Sequence, residues 1–248
     1  KVIIQNTDNV EDINKEESVD VALPGDAKAT LQMVLDEVKA AIGEKGRKTG
    51  VASEIARIRR QWMSEWTGLL NSDEEPLNTY RVIHEIDQTL DKENSIVTHD
   101  AGGPRDAMVP FLTATVPHSY MGWGKTTHLG FGIPAMIGAK MANPDKFCLN
   151  YMGDGAFGMS GLDIETSVRA GAPITTVVLN NGGMGGYDRS LPTALEVYGT
   201  SSMTGDYAAI AEGMGAAGIT VTKTAEMVPA IEQAQRINAD GRTVLIDV

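Results

Sequence analysis

The stretch Gly153-Asp154-Gly155-Ala156-Phe157-Gly158 has the strongest chemical signature in the chain. Its G-x-G-x-x-G spacing, after a predicted strand and before a predicted helix, is the pattern by which backbone N–H groups cradle a pyrophosphate. In a dinucleotide fold an acidic residue at the end of the following strand takes the ribose hydroxyls. Here that strand, Ile174 to Leu179, ends in Asn180-Asn181, and the acid sits inside the loop as Asp154. A bare carboxylate repels a pyrophosphate. The conflict is lifted by a divalent cation between them, because Mg²⁺ favours one or two protein oxygens together with substrate phosphates. Asn181 is the natural second ligand, since its strand is expected beside the one delivering Asp154, with both ending at the same edge. The run Gly182-Gly183-Met184-Gly185-Gly186 lets backbone groups approach a ligand closely.

Other residues carry weaker signals. Arg105 could hold a substrate carboxylate bidentately or be ion-paired. His99, at a strand end, and His128 could shuttle protons near neutral pH or serve as hydrogen-bonded structural residues. Asp163, Glu165 and Arg169 read as a surface or interface charge set. Met152 and Met159 read as core filling. Cys148, the one cysteine, lies in the apolar run Phe147-Cys148-Leu149 and is expected in the core; alone it forms no internal disulfide, and a reducing, cytoplasmic setting is the default.

The elements that must position these residues follow from periodicity. Predicted are helix 79–91, strand 95–99, a Gly-rich loop 101–104, helix 126–142, strand 147–152, helix 159–170 and strand 174–180. Helix 206–214, strand 219–223, helix 225–238 and strand 243–248 complete the series. Strands separated by helical stretches imply an α/β fold, a parallel sheet with helices on both faces, and ligands beyond the carboxyl ends of the strands. Upstream, Lys1 to Gly43 reads as strand, strand and amphipathic helix through Leu31, Leu35, Val38 and Ile42. With so few strands it looks like the tail of a domain that begins earlier; the absence of an initial Met separately suggests a processed chain or a fragment. Residues 44–75 read as a linker with an amphipathic helix on which Trp62 and Trp66 pack, and 76–248 as the main domain. Of 248 residues, 42% are hydrophobic and the net charge is -12, which excludes a coiled coil or collagen and disfavours a nucleic-acid partner. No apolar run is long enough to span a membrane, and no signal peptide opens the chain.

Asp154-Gly155 in a strand-loop-helix, followed by Asn181 after 26 intervening residues, resembles the diphosphate and Mg²⁺ motif of thiamine-diphosphate-dependent enzymes. The likeness is closest to the acetolactate synthase, oxalyl-CoA decarboxylase and benzaldehyde lyase group and covers nearly the whole chain. It runs from Val19-Asp-Val-Ala-Leu-Pro-Gly-Asp-Ala-Lys, like the end of that group's central domain, to Val244-Leu-Ile-Asp-Val at the close of its diphosphate-binding domain. The resemblance implies thiamine diphosphate and Mg²⁺ as cofactors. The metal would be held by the side chains of Asp154 and Asn181 and the carbonyl of Gly183, where the family often has Glu or Gln. The loop residues Gly102, Gly103 and Gly153, and the backbone N–H groups of Gly155, Ala156, Gly185 and Gly186, would meet the cofactor. Leu129 would be the bulky residue that bends it into a V, bringing its 4'-amino group to C2, and the Thr127 carbonyl would accept from that amino group. The Gln-His or Asn-Thr pairs familiar after strand 95–99 are missing, which leaves the substrate open.

The resemblance further implies a 2-oxo acid or acyl substrate and a decarboxylase, lyase or carboligase reaction. It also implies a homo-oligomer and an activating Glu on a pyrimidine-binding domain from another chain or a missing segment. Two readings stand beside it on the residues alone: an NAD(P)-binding oxidoreductase, and a non-catalytic assembly subunit.

Overall fold

The computed structural model describes residues 1–43, 50–122 and 128–248, in two compact units, Lys1–Trp62 and Met63–Val248. In the first, β1 (Ile4–Thr7) and β2 (Val21–Pro24) pair in parallel. Helix α1 (Ala27–Ile42) follows, its N-terminus capped by Asp26 accepting from Ala29 N–H. None of the described residues of this unit is buried, and Leu31, Leu35, Val38 and Ile42 stay open to solvent. Helix α2 (Val51–Leu70) carries Trp66, whose ring packs on Tyr80 and Phe111 with centroids 5.1 and 5.3 Å away, so this tryptophan is a packing residue.

The second unit is a six-stranded sheet in the order β4-β3-β5-β6-β8-β7. The strands are β3 (Ser95–His99), β4 (Tyr120–Met121), β5 (Phe147–Gly153), β6 (Thr175–Leu179), β7 (Ala217–Thr220) and β8 (Val244–Asp247). Every neighbouring pair is parallel. This is the expected α/β architecture. β3, β6 and β8 are buried at every position, because helices cover both faces and neither is left to be polar. Helices α3 (Thr79–Thr89), α4 (Gly103–Phe111) and α11 (Thr224–Ala239) pack together on one face, where the Tyr151 hydroxyl points to the Thr79 carbonyl of α3. Helices α5 (Gly132–Ala142), α6 (Asp154–Ser160), α7 (Asp163–Arg169) and α10 (Tyr207–Gly213) take the other. The core there joins Ile133, Met136, Cys148, Met152, Ile164 and Leu245. Cys148 is thus a core residue, and burial pushes its thiol up to about 11.

Several elements differ from the sequence expectation. Helix 126–142 begins at Gly132. Helix 159–170 is two helices that start as early as Asp154 and are separated at Gly161-Leu162. The strand expected at 219–223 lies at Ala217–Thr220. Helix α4, the edge strand β4 and the short helices α8 (Tyr187–Ser190) and α9 (Pro192–Tyr198) were not foreseen.

Candidate functional site

The chain leaves β3 toward β4 on one side and later returns to β5 on the other, so the carboxyl ends of β3 and β5 border a topological switch point. Three connections converge there. β3 delivers Asp100 and then Gly102 and Gly103, the latter opening α4. β5 delivers Gly153, Asp154, Gly155 and Ala156. β6, in register with β5 so that Leu179 lies opposite Gly153, delivers Asn180 and Asn181.

Asp154 stands as the first residue of α6, with Gly153 as N-cap, and is not the open-loop residue the motif suggested. It is 2% exposed. Its Oδ1 accepts from Gly155 N–H at 2.8 Å, while Oδ2 is buried with no hydrogen-bond partner. A buried carboxylate oxygen without a donor is a position that invites a cation. Among the described residues no cluster of three His, Cys, Asp or Glu side chains assembles, so a cation here would complete its shell with amide, backbone or ligand oxygens.

Asn181 is exposed, and its Oδ1 accepts from Gly183 N–H at 3.1 Å, closing a turn on which Gly182 takes φ +68°. Asn180 is tied differently, its Nδ2 donating to the Gly205 carbonyl at 3.1 Å. The glycine run then forms a short antiparallel contact: Gly183 bridges Ser202, Met184 N–H donates to Ser201 and Met203 N–H to Gly182, each at 2.9 Å. A cavity of about 600 Å³ opens beside it, lined by Asn181, Gly183, Gly185, Gly186, Arg189 and Ser202 among others. A Cβ on Gly155 would come within 3.3 Å of Met184 Cγ and 3.6 Å of Met203 Sδ, so both methionines roof the α6 N-terminus. Met203 was not singled out from the sequence. Its only signal there is another Met in a polar run.

Leu129 is half-buried against the core of the α5 face. Thr127 lies outside the described residues. The turn after Leu129 is held by Asp100, which sequence reading did not single out. This carboxylate is fully buried; Oδ1 accepts from Ala101 and Gly130 N–H at 2.7 and 3.0 Å, and Oδ2 from Gly132 N–H at 3.0 Å. The signal available was an acid ending an apolar strand, where burial demands partners.

His99 is buried, and the Asp100 carbonyl accepts from its Nδ1 at 3.0 Å. Desolvation by burial sets its pKa below the ordinary value, aided by the Arg105 charge and opposed by the Asp100 hydrogen bond. His128 is exposed. Arg105 is paired with its neighbour Asp106 at 2.9 Å and lies partly in solvent. Burial, reinforced by the Asp154 and Asp247 charges, raises the Tyr207 phenol.

The profile of the family described as "Thiamine pyrophosphate enzyme, C-terminal TPP binding domain" matches residues 100–248, from Asp100 through every strand-end loop just described. The acetolactate synthase large subunit of Corynebacterium glutamicum is 29% identical over 266 residues, covering 100% of this chain and 40% of that protein. A probable sulfoacetaldehyde acetyltransferase of Rhizobium meliloti is 27% identical over 265 residues, covering 99% of this chain and 44% of the relative. The sulfoacetaldehyde acetyltransferase of Castellaniella defragrans is 29% identical over 258 residues, 93% of this chain and 42% of the relative. The chain spans about two fifths of the length of the curated relatives it matches. A parallel sheet with Gly-rich loops gathered at its switch point, and a family match over that whole region, place this chain in the thiamine pyrophosphate enzyme family, whose C-terminal TPP-binding domain it carries.

Proposed function

We propose that this chain anchors thiamine diphosphate through Mg²⁺ in an enzyme that makes or breaks C–C bonds next to a carbonyl. Its substrate would be a 2-oxo acid or an acyl donor, as in an acetolactate synthase-like carboligase or decarboxylase. The observation that carries the reading is Asp154 Oδ2, buried and without a partner at the head of α6. It supplies the hard anionic oxygen that Mg²⁺ requires. Asn181 Oδ1 keeps a lone pair beyond its bond to Gly183 N–H, and the Gly183 carbonyl offers a third ligand on the same turn.

In this reading the chain's own residues bind and orient. Asp154, Asn181 and Gly183 would hold Mg²⁺, which would supply the positive charge that a diphosphate needs beside Asp154. Backbone N–H groups of Gly155, Ala156, Gly185 and Gly186 meet phosphate oxygens, and Gly102 and Gly103 let the β3 connection approach the cofactor. Leu129 would support the cofactor and favour its bent form; the carbonyl role assigned to Thr127 falls outside the described residues. When bound, the thiazolium supplies the carbanion and electron sink. This chain's share is preorganisation. The activating Glu belongs in this proposal to a pyrimidine-binding domain on another chain or segment, and the complete enzyme would be a homo-oligomer in the cytoplasm. No described helix is long and apolar enough to cross a membrane.

The test is calorimetric titration of the chain with thiamine diphosphate and Mg²⁺, repeated with excess EDTA. Saturable binding that EDTA removes, and that Asp154→Ala abolishes, is expected. Metal-independent binding of NAD(H) instead would sink the proposal in favour of a dinucleotide site.

A further inference from the structure

The turn that presents Leu129 is overdetermined. Gly130 has φ +85°, and a Cβ there would meet Ser160 Oγ at 2.9 Å; a Cβ on Gly132 would lie 1.9 Å from Asn150 Oδ1. Side chains from α6 and β5 thus close on this turn from two sides. From the third comes Asp100, whose two oxygens take the N–H groups of Gly130 and Gly132 while Oδ1 also takes that of Ala101. Phe131, the N-cap of α5, forms no side-chain cap bond, so the Asp100 carboxylate caps that helix start from a distant strand.

One carboxylate therefore ties together two strand-end connections: the loop after β3 running to Gly102 and Gly103, and the turn after β4 carrying Leu129. We propose that Asp100 is a positioning residue for the cofactor, acting through Leu129. It fixes the height and direction from which Leu129 meets the bound thiamine diphosphate and touches neither cofactor nor substrate itself. The inference rests on the Leu129 role given above. A carboxylate is required because it presents two acceptor oxygens and no donor. An amide of the same shape turns an NH₂ toward one of these backbone N–H groups, setting donor against donor. Asp100→Asn should leave the sheet intact and free the turn.

The experiment uses the full chain saturated with thiamine diphosphate and Mg²⁺, as unsubstituted protein, Asp100→Asn, Leu129→Ala and the double variant. Three quantities are read: amide hydrogen exchange at Gly130 and Gly132, near-UV circular dichroism induced in the bound cofactor, and cofactor affinity. Asp100→Asn should speed exchange by about tenfold or more at whichever glycine its NH₂ faces, the worth of a hydrogen bond to a charged group. It should also reduce the induced signal to the level of Leu129→Ala. Affinity should change by less than about threefold, since Asp154, Asn181 and Gly183 are untouched. The double variant should be no worse than the single ones, as for two residues on one path.

A full cofactor signal in Asp100→Asn, with Leu129→Ala losing it, would overturn the inference and leave the Leu129 role standing. Additive losses in the double variant would also overturn it. A full signal in Leu129→Ala would remove the Leu129 role, and the inference with it. Should Asp100→Asn melt below the working temperature, Asp100→Glu takes its place. It keeps both acceptors but displaces them by a methylene, and must show the same selective loss of signal.

Discussion

Burial decides what His99 can do. Its folded-state pKa lies below the free value of 6.5, mainly through desolvation, so the unfolded chain takes up a proton that the folded chain resists. Stability that is present above pH 6.5 is therefore lost as pH falls through that value toward the folded pKa. His99→Gln should flatten this part of the profile, and thermal melts between neutral and mildly acidic pH would show it. Asp154 behaves differently, because what matters there is a lone oxygen. Asp154→Asn preserves size and removes the charge, and should weaken Mg²⁺-dependent cofactor binding by about a hundredfold or more, beyond what outer-sphere partners of a metal contribute. The placement of Asp154 and Asn181 at one sheet edge was legible from spacing, because the neighbouring strands β5 and β6 end at Gly153 and Leu179, just before them. Asp100 was not. Its partners lie on a turn some thirty residues away in sequence, and no local pattern encodes a carboxylate that accepts from a distant backbone.

The elements themselves were legible where burial is uniform. β5 and β6 read as strands because helices cover both faces and the sequence is mostly apolar or β-branched, with Asn150, Thr175 and Thr176 buried among the apolar side chains. Legibility failed where packing overrides propensity. β7 contains Gly218, whose Cβ would lie 2.6 Å from the Ala208 carbonyl of α10; helix and strand approach so closely that only glycine fits, and an Ala-Gly start does not look like a strand. Helix α4 was hidden by Pro104 near its start and Pro110 inside it. The two-residue β4 is too short for any period to register. The close approach at α5 has a measurable counterpart. Gly132→Ala would drive a methyl into Asn150 Oδ1, which is buried and has no hydrogen-bond partner. A loss of about 1–3 kcal/mol, the usual range for overpacking, is expected from chemical denaturation.

At the scale of the molecule the site belongs to no single element. Asp100, Leu129, Asp154 and Asn181 come from successive connections spread over the second unit, so a ligand that spans them binds only the assembled sheet. Thiamine diphosphate with Mg²⁺ at about a hundred times Kd should stabilise that unit by about 2.7 kcal/mol. For a domain of this size that raises Tm by roughly 5–10 °C, and excess EDTA should reverse the rise in a thermal shift assay.

The sheet's connectivity has a consequence in time as well as in space. Ser95 finds Phe147 and Thr175 finds Val244 only after long stretches of chain have closed into loops, and among the described residues no strand meets its partner across a hairpin. Such a topology has high contact order and folds slowly, with β3, β5, β6 and β8 exposed as unpaired apolar edges until late. The chain is therefore most vulnerable to aggregation during synthesis, before the crossovers close, and a cofactor that recognises only the finished strand ends can rescue it only after that interval has passed.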